Sequence, residues 1–252
     1  MTITYNHLVQ PDIEGIPSFP SALFEGDHAT ARYAIGIVAI GSEVLDGLGN
    51  EFNGYALERA RRYVQEGYIT KHDLNDDRTE LDADDERSVH LTVVENMVDH
   101  ARTAGTMRLV INSGIDNEPL PIELMFPEAF DTPAQAGSVE SSRVTSNRPL
   151  LTQLLFAAGT SYVQQHKLGP VYGVVKPDFG TSLNRSGIPV IPLAEPKYVP
   201  SINATKQSIL VDMPRVESNI LISDGAALFK EMRRLKGDFV YSGKLNPRLH
   251  IK

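Results

Sequence analysis

The chain of 252 residues is 41% hydrophobic and 22% charged, which is the composition of a soluble globular protein. Its formal net charge of −8 argues against a general nucleic-acid binder, since nucleic acids attract basic surfaces. It has no cysteine, which excludes disulfides, thiolate metal ligands and a cysteine nucleophile. The sequence shows no membrane-spanning run and no secretory signal, so we expect a cytoplasmic protein.

The first half of the chain predicts an arm, a helix and two strands. Residues 1–35 have weak periodicity and several Pro and Gly, which predicts an irregular segment, and we assign residues 1–50 to an arm packed on the body of the protein. Apolar residues recur on one face of residues 51–66, and Gly67 follows them, which predicts a helix. Residues 88–95 and 106–112 alternate and are rich in β-branched residues, which predicts strands.

The second half predicts a longer helix among further strands. Residues 137–146 read as a strand, and the most regular helix of the sequence follows over residues 148–166. Asn147 is its predicted cap, Pro149 lies in its first turn, and Gly169 precedes a proline after its end. Beyond it, the pattern predicts strands over 171–175, 188–193 and 207–213, and helices over 178–186 and 224–237.

This order of elements predicts one domain of the α/β (α+β) class, with a mixed, mainly antiparallel sheet flanked by helices. We place its core at residues 51–215 and a C-terminal helical extension at residues 216–252. The end of the chain, residues 221–252, has seven Lys or Arg against three acids. Such a segment is either a solvated chain end or a docking surface for an acidic partner.

An acidic run precedes the first core strand. It comprises Glu80, Asp82, Asp84, Asp85 and Glu86, and Ser88 and His90 follow inside the strand. Three interpretations remain open: a solvated loop, a calcium loop, or a site that orients an ammonium group. The run lacks the central Gly and the Glu at the twelfth position of an EF-hand, which excludes that motif. The next strand contains Arg108, which needs a carboxylate from this run if it is buried.

The segment VESSRVTS, residues 139–146, places a carboxylate and a guanidinium three residues apart in a strand. In a regular strand, Glu140 and Arg143 would face opposite sides of the sheet. A β-bulge near Ser141 and Ser142 would bring them to the same side and free backbone N–H groups that can hold an oxyanion. Glu140 could then act as a general base. The alternative is a strand whose polar residues meet solvent.

Taken in order, these motifs resemble the acyl-homoserine lactone (autoinducer) synthases and the long-chain N-acyl amino acid synthases, which are similar to the GNAT-like acyltransferase fold. That group has an Arg-bearing helix, an E-x-D-x-x-D motif before a strand, a G-x-x-R-L strand, and an E-x-S-R strand before a long helix. The corresponding residues here are Arg59, Arg61 and Arg62, then Glu80–Asp85, Gly105–Leu109 and Glu140–Arg143. The match extends over about residues 55–195.

The resemblance implies transfer of a fatty acyl group from the phosphopantetheine thioester of an acyl carrier protein to the amine of a small acceptor. It implies that the central strands part in a V that admits the pantetheine arm. The implied catalytic residues are Glu140, Ser141, Ser142 and Arg143. The implied substrate-binding residues are Arg59, Arg62, Asp82, Asp85, Ser88, Arg108 and Phe156. It implies no tightly bound cofactor and no metal, and it makes the basic C-terminal segment a docking candidate for the carrier protein.

Departures from the group's pattern favour the N-acyl amino acid synthases. The lactone synthases typically place an aromatic residue, often Trp, just after the N-terminal helix, whereas this chain has no Trp and Tyr63 or Tyr68 is the nearest substitute. It also lacks the R/Q-x-x-G-x-G/A loop that binds the pyrophosphate of acetyl-CoA, which favours a carrier-protein donor. Two rivals remain: a lactone synthase that uses S-adenosylmethionine, and a non-catalytic acyl-carrier or lipid-binding protein. If neither holds, the polar strand residues are structural ion pairs.

Overall fold

A computed structural model of the chain describes residues 33–40, 43–44, 49–96, 101–114, 118–146, 148–185 and 187–220. Within these ranges one sheet is flanked by helices. Its strands are β1 (Tyr33–Ile40), β2 (Glu43–Val44), β3 (Ser88–Asn96), β4 (Ala101–Ile111), β5 (Val139–Ser146), β6 (Val171–Val175), β7 (Val190–Pro192), β8 (Lys197–Val199) and β9 (Ala204–Val211). The helices are α1 (Gly49–Gln65), α2 (Pro121–Met125), α3 (Pro149–Gln165), α4 (Pro177–Arg185) and α5 (Met213–Ile220).

The strands follow the order β2-β1-β3-β4-β5-β6-β9-β7, and β8 pairs with β9. The pair β5–β6 is parallel, and the other described pairs are antiparallel. A parallel pair needs a long crossover, which α3 supplies between β5 and β6. The predicted α+β domain with a mixed, mainly antiparallel sheet is therefore confirmed.

Helices α1 and α3 cover opposite faces of the sheet. On one face, the ring of Tyr55 from α1 meets the ring of His90 from β3, with centroids 5.2 Å apart. On the other, α3 packs so closely on β4 that a Cβ at Gly159 would lie 3.1 Å from the Met107 side chain. His90 lies opposite Arg108 in the ladder, so the side chains of Arg108 and Met107 alternate between the two faces.

The sheet opens between β5 and β6. The two strands pair only at three positions, and the last pair is Ser141 with Gly173. Beyond this point β5 continues to Ser146 and β6 to Val175 without pairing to each other. This is the V-shaped parting of central strands that the family resemblance implies.

Several details differ from the sequence-based predictions. Residues 121–125 form a short helix that begins at Pro121, and residues 197–199 form a strand that was not predicted. The N-cap of α3 is Arg148, which makes no side-chain capping bond, and not Asn147, which lies outside the described residues. Within the predicted arm of residues 1–50, residues 33–40 and 43–44 form β1 and β2, and β1 pairs with β3 in the main sheet. The arm up to residue 32, the helix at 224–237 and the basic segment 221–252 lie outside the described residues. No helix in the described ranges is long and apolar enough to cross a membrane.

Candidate functional site

A β-bulge interrupts β5. Its register with β4 is regular through Ser142 and shifts before Thr145, so that Arg143 and Val144 together face the single residue Met107. Arg143 has a φ of 54°, in the left-handed region that such an extra residue adopts. The predicted bulge therefore exists, but it lies two residues beyond its predicted position.

The acidic run folds into a capped 3-10 helix, Ala83–Arg87. The side chain of Asp82 accepts a hydrogen bond from the backbone N–H of Asp84, and that of Asp85 accepts one from the N–H of Asp82. This reciprocal capping box fixes the loop conformation locally. The capping carboxylates are thereby held in place before any arginine binds them.

Arg59 anchors this loop to α1. Its side chain is fully buried and binds Asp85 through two bonds, Nη1 to Oδ1 at 2.8 Å and Nη2 to Oδ2 at 2.9 Å. Its Nε also donates to Oε2 of Glu80 at 2.8 Å. Two parallel bonds between guanidinium and carboxylate give a strong and directional contact.

Two strand arginines complete what we call the ion-pair cluster: Arg59, Glu80, Asp82, Asp85, Arg108 and Arg143. Arg108 from β4 contacts Asp82 and lies 3.2 Å from Oδ1 of Asp85. Arg143, turned by the bulge, binds Oδ2 of Asp82 at 2.7 Å and Oε1 of Glu80 at 2.6 Å. The need of Arg108 for a carboxylate of the acidic run, predicted from the sequence, is met here.

The cluster is charged at neutral pH. Burial opposes ionisation of Asp85, but Arg59 and Arg108 outweigh it and hold the pKa of Asp85 well below its usual range. The pKa of Asp82 is also lowered, where Arg108 and Arg143 outweigh burial. Asp82 and Asp85 therefore carry negative charges that offset the guanidinium groups around them.

His90 and Tyr55 support the cluster in neutral form. His90 is fully buried, with Nδ1 3.1 Å from the Tyr55 hydroxyl and Nε2 3.2 Å from the backbone oxygen of Asp85. Burial lowers the pKa of His90 to about 4 and raises that of Tyr55 to about 12. Neither group titrates near pH 7, so both contribute fixed hydrogen-bonding positions.

Glu140 lies apart from these ion pairs. Its carboxylate is 1% exposed and accepts a 2.6 Å hydrogen bond from the backbone N–H of Ile122, in the first turn of α2. Burial raises its pKa to about 7, although the Ile122 bond and the charges of Arg108 and Arg143 oppose this. A carboxyl group of this pKa can gain or lose a proton near neutral pH.

A pocket of about 280 Å³ occupies the gap between β5 and β6. It extends through the sheet, since Arg62 and Tyr63 of α1 line it on one side and Phe156 of α3 lines it on the other. The charged lining residues, among them Arg62, Arg143 and Lys206, include none from α3, which contributes Phe156 and the uncharged Thr152. The hydroxyl of Ser141, at the last strand pair, is buried against this pocket without a hydrogen-bond partner among the described residues.

The eleven predicted site residues divide into three groups. Five line the pocket: Arg62, Ser141, Ser142, Arg143 and Phe156. Four more belong to the ion-pair cluster: Arg59, Asp82, Asp85 and Arg108. Glu140 and Ser88 are buried and do not line the pocket. The Ser88 hydroxyl donates to the backbone oxygen of Asp84.

Sequence reasoning missed two basic residues of the pocket. Lys176 and Lys206 line its polar side together with Tyr63 and Tyr68, the two aromatic residues considered as substitutes for Trp. The predicted last strand began at residue 207, one residue too late to include Lys206, whereas β9 begins at Ala204. No group of three or more His, Asp or Glu side chains among the described residues is arranged to hold a metal ion.

No protein-family model matches this sequence, and comparison with curated proteins gave no match. Among solved structures, TofI in a ternary complex with an inhibitor and MTA is 16% identical, with a TM-score of 0.56, over 77% of this chain and 98% of that one. BjaI, a CoA-dependent acyl-homoserine lactone synthase with SAM and isopentyl-CoA, is 19% identical, with a TM-score of 0.57, over 75% of this chain and 88% of that one. FeeM, an N-acyl amino acid synthase from uncultured soil microbes, is 14% identical, with a TM-score of 0.51, over 77% of this chain and 97% of that one. The chain therefore has the GNAT-like fold of these synthases, as the sequence motifs implied.

Proposed function

We propose that the protein is an N-acyltransferase that moves a fatty acyl group from the thioester of an acyl carrier protein to the amine of an amino acid or a similar small acceptor. The observation that carries this proposal is the pocket through the sheet, with a charged end at α1 and an uncharged end at α3, where Phe156 supplies an apolar wall. Such a pocket suits a substrate pair that joins an acyl chain to a polar head. The fold shared with acyl-homoserine lactone and N-acyl amino acid synthases supports it.

The reaction is attack of the acceptor nitrogen on the thioester carbon, followed by loss of the thiol. A C–N bond forms, the C–S bond breaks, and the negative charge passes through the carbonyl oxygen to the leaving sulfur, which takes up the proton that the amine has lost and leaves as the thiol. The unpartnered hydroxyl of Ser141, at the point where the strands part, supports a role for it as a donor to that oxygen. Positioning the two reactants in one pocket lowers the entropic part of the barrier.

Glu140 is our proposed acceptor for the proton that the amine loses. Its side chain does not reach the pocket, but Ser142, two residues along the same strand face, lines it. The proton therefore passes through Ser142 or through a water molecule. The pKa of Glu140, about 7, suits a general base at neutral pH.

We assign the ion-pair cluster to holding the acceptor amine. Asp82 is its most exposed carboxylate, with 35% of its side chain accessible, compared with 9% for Glu80 and 2% for Asp85. Because Arg108 and Arg143 hold its oxygens, it presents a fixed charge to an incoming ammonium or amine. Arg59 acts through these residues and positions them.

The second candidate is an acyl-homoserine lactone synthase, which the fold of TofI and BjaI favours. The name of BjaI also gives a CoA thioester as the donor to be tested beside a carrier protein. The third candidate is a protein of the same fold that binds an acyl carrier protein or a lipid and catalyses no reaction. The assay below separates these three functions.

The test is release of free thiol from a long-chain acyl carrier protein and, in parallel, from the matching acyl-CoA. Each of the twenty amino acids and S-adenosylmethionine is offered singly, and products are identified by mass. Release with an amino acid and an N-acyl product of matching mass is the expected result. Release only with S-adenosylmethionine, together with methylthioadenosine, assigns the lactone synthase instead, and carrier binding without thiol release assigns the non-catalytic function.

Two variants connect this assay to the site. We expect Ser141→Ala to slow thiol release, because it removes a buried donor beside the reacting carbonyl. Glu128→Gln is the control, since Glu128 is a surface carboxylate paired with Lys197 outside the pocket. Equal rates in both variants and the wild type contradict the role given to Ser141.

A further inference from the structure

Lys206 of β9 is a buried cation at the polar end of the pocket. The residue is 8% exposed, and its Nζ lies 3.9 Å from the centroid of the Tyr68 ring. Within the described part of the chain, its ammonium makes no hydrogen bond and no ion pair. A buried ammonium that has an aromatic face beside it but no hydrogen-bond acceptor or anion is costly to the fold, so its presence beside a pocket indicates a ligand that supplies an anion.

The charged neighbours of Lys206 do not neutralise it. Glu66 approaches from the end of α1, but it pairs with Lys176 at 3.4 Å. Lys176 lies over the same Tyr68 ring, 4.6 Å from its centroid, and Arg143 adds a further positive charge. Burial first, and then the repulsion by Lys176 and Arg143, lowers the pKa of Lys206 to about 8, against a smaller opposing effect of Glu66. An anion in the pocket would remove this repulsion.

We propose that Lys206 binds the carboxylate of the acceptor, so that the acceptor is an amino acid and not a simple amine. This inference rests on the function proposed above. A carboxylate one carbon from the attacking amine necessarily lies in the pocket that holds the reacting groups. The phosphate of the donor is a whole pantetheine arm away from the thioester and next to the carrier protein, where a buried lysine cannot reach it.

The same residues disfavour an acceptor that carries a fixed positive charge. Aromatic faces hold sulfonium and ammonium groups by cation–π attraction. Here the guanidinium carbon of Arg143 lies 5.0 Å from the Tyr63 ring centroid, and Lys176 and Lys206 lie over Tyr68. Both rings are therefore already occupied by the protein's own cations. This arrangement favours an ordinary amino acid over S-adenosylmethionine.

The test is calorimetric binding of N-dodecanoylglycine and of its methyl ester, which differ in the carboxylate alone. We expect the wild type to bind the acid about tenfold to a hundredfold more tightly than the ester, as a charged hydrogen bond requires. Lys206→Met removes this preference, Lys206→Arg keeps most of it, and Lys197→Met, outside the pocket, leaves it unchanged. Because Lys206→Met also removes an unpaired buried charge, we expect its melting temperature to equal or exceed that of the wild type.

Proton uptake gives a second readout. A bound carboxylate stabilises the charged form of Lys206 and raises its pKa, so binding takes up a proton wherever the free lysine is partly neutral. At pH 8 we expect uptake of about half a proton per acid molecule, since the free pKa is about 8. The uptake disappears at pH 6, where Lys206 is already charged, and in Lys206→Met. It is measured from the binding enthalpy in buffers of different ionisation enthalpy.

The outcomes separate the two proposals. If the wild type and Lys206→Met prefer the acid equally, the carboxylate assignment is wrong, although the acyltransferase proposal stands. If Lys206→Met instead weakens binding of 4′-phosphopantetheine relative to pantetheine, the lysine serves the donor phosphate, and the assignment to the acceptor is overturned. If the wild type binds neither acid nor ester, the proposed function itself fails.

Discussion

Glu140 is buried in the sheet without a cation among the described residues at hydrogen-bonding distance, and burial raises the pKa of its carboxyl group. The pKa of Glu140 is about 7 in the folded state, compared with the ordinary value of 4.5 in the unfolded chain. Between these two pH values the folded state keeps a proton that the unfolded chain has released. The folded state therefore loses stability as the pH rises from about 4.5 to about 7. The sequence could place Glu140 at the site, but its pKa depends on burial by α2, which is a tertiary effect.

We predict that Glu140→Gln is more stable than the wild type above pH 7, by up to about 3 kcal/mol, because it removes the charge and keeps the acceptor for Ile122. Below pH 4.5 the difference vanishes, since the wild-type carboxyl is then protonated in both states. Urea unfolding at several pH values measures this difference. Other titrating groups such as His90 are common to both proteins and cancel.

The same substitution should lower turnover. We expect a loss of about 100-fold or more, and the loss of the rise in rate through pH 7 that a general base of this pKa produces. The rate also rises with pH as the acceptor amine loses its proton, and we expect this second rise in both proteins. A Glu140→Gln enzyme with wild-type rates and pH profile would show that the group is only structural.

Arg59 and Arg61 are neighbours on α1 that differ in burial and therefore in energetic weight. Arg59→Met removes the bidentate partner of Asp85 and one of the two arginines that bind Glu80, and leaves these buried carboxylates only Arg108 and Arg143 among the described cations. We predict a loss of about 3–5 kcal/mol in the free energy of unfolding. Arg61 has 56% of its side chain exposed and pairs with Glu58. We expect Arg61→Met to cost less than about 1 kcal/mol.

Denaturant unfolding followed by circular dichroism compares the two arginine variants in one helix. Similar losses for both contradict the structural role of the ion-pair cluster. The partners of Arg108 could be predicted from the sequence because a strand arginine must find a carboxylate. The sequence could not predict that Arg59 and not Arg62 binds the acidic run, since both lie on one face of α1. Only the position of that run against the helix distinguishes them.

At the scale of elements, the parting of β5 and β6 depends on a close backbone approach at its apex. A Cβ at Gly173 would lie 3.2 Å from the backbone oxygen of Ser141 and 3.5 Å from the Ile209 side chain. We predict that Gly173→Ala slows thiol release, because the methyl group presses on Ser141 and Ile209, which line the pocket. We also expect a loss of about 1 kcal/mol in stability from overpacking.

Gly180→Ala is the control for this change. Gly180 lies in α4, and a Cβ there would meet Val175 at 3.5 Å, an ordinary contact. The gain in helix propensity of up to about 1 kcal/mol offsets the adjustment. Unchanged thiol release in Gly180→Ala with a slowed Gly173→Ala confirms that the apex matters, and equal rates in both contradict it.

How far the elements were predictable depends on their length. Helices α1, α3 and α4 and strands β3, β5 and β6 have enough residues for their periodicity to show. Helix α2 has five residues and β8 has three, so neither completes a pattern, and packing alone decides their conformation. The bulge in β5 was predicted from the spacing of two charges, but that spacing cannot fix which residue is extra.

At the scale of the whole molecule, the sheet divides the pocket into a side lined by α1 and a side lined by α3. Because α1 and α3 lie on opposite faces, the residues that we assign to the acceptor and those that we assign to the acyl chain meet through the gap between β5 and β6. This arrangement depends on strand order, since the parallel pair lies between two antiparallel halves. Motif order in the sequence predicted the fold that contains this gap, whereas Lys206 reaches it only through the distant strand β9.

The separation predicts independent control of the two substrates. Phe156→Leu, on the α3 side, should change the KM for the acyl donor and its dependence on chain length by a few-fold, since it alters the apolar wall alone. Lys206→Met, on the α1 side, should raise the KM for the amino acid and leave the chain-length preference unchanged. In a double-mutant cycle on kcat/KM, the two effects should add within about 0.5 kcal/mol, as they do for sites without shared partners. A larger coupling energy would mean that both side chains contact the same part of a substrate, and the division of the pocket by the sheet would then be wrong.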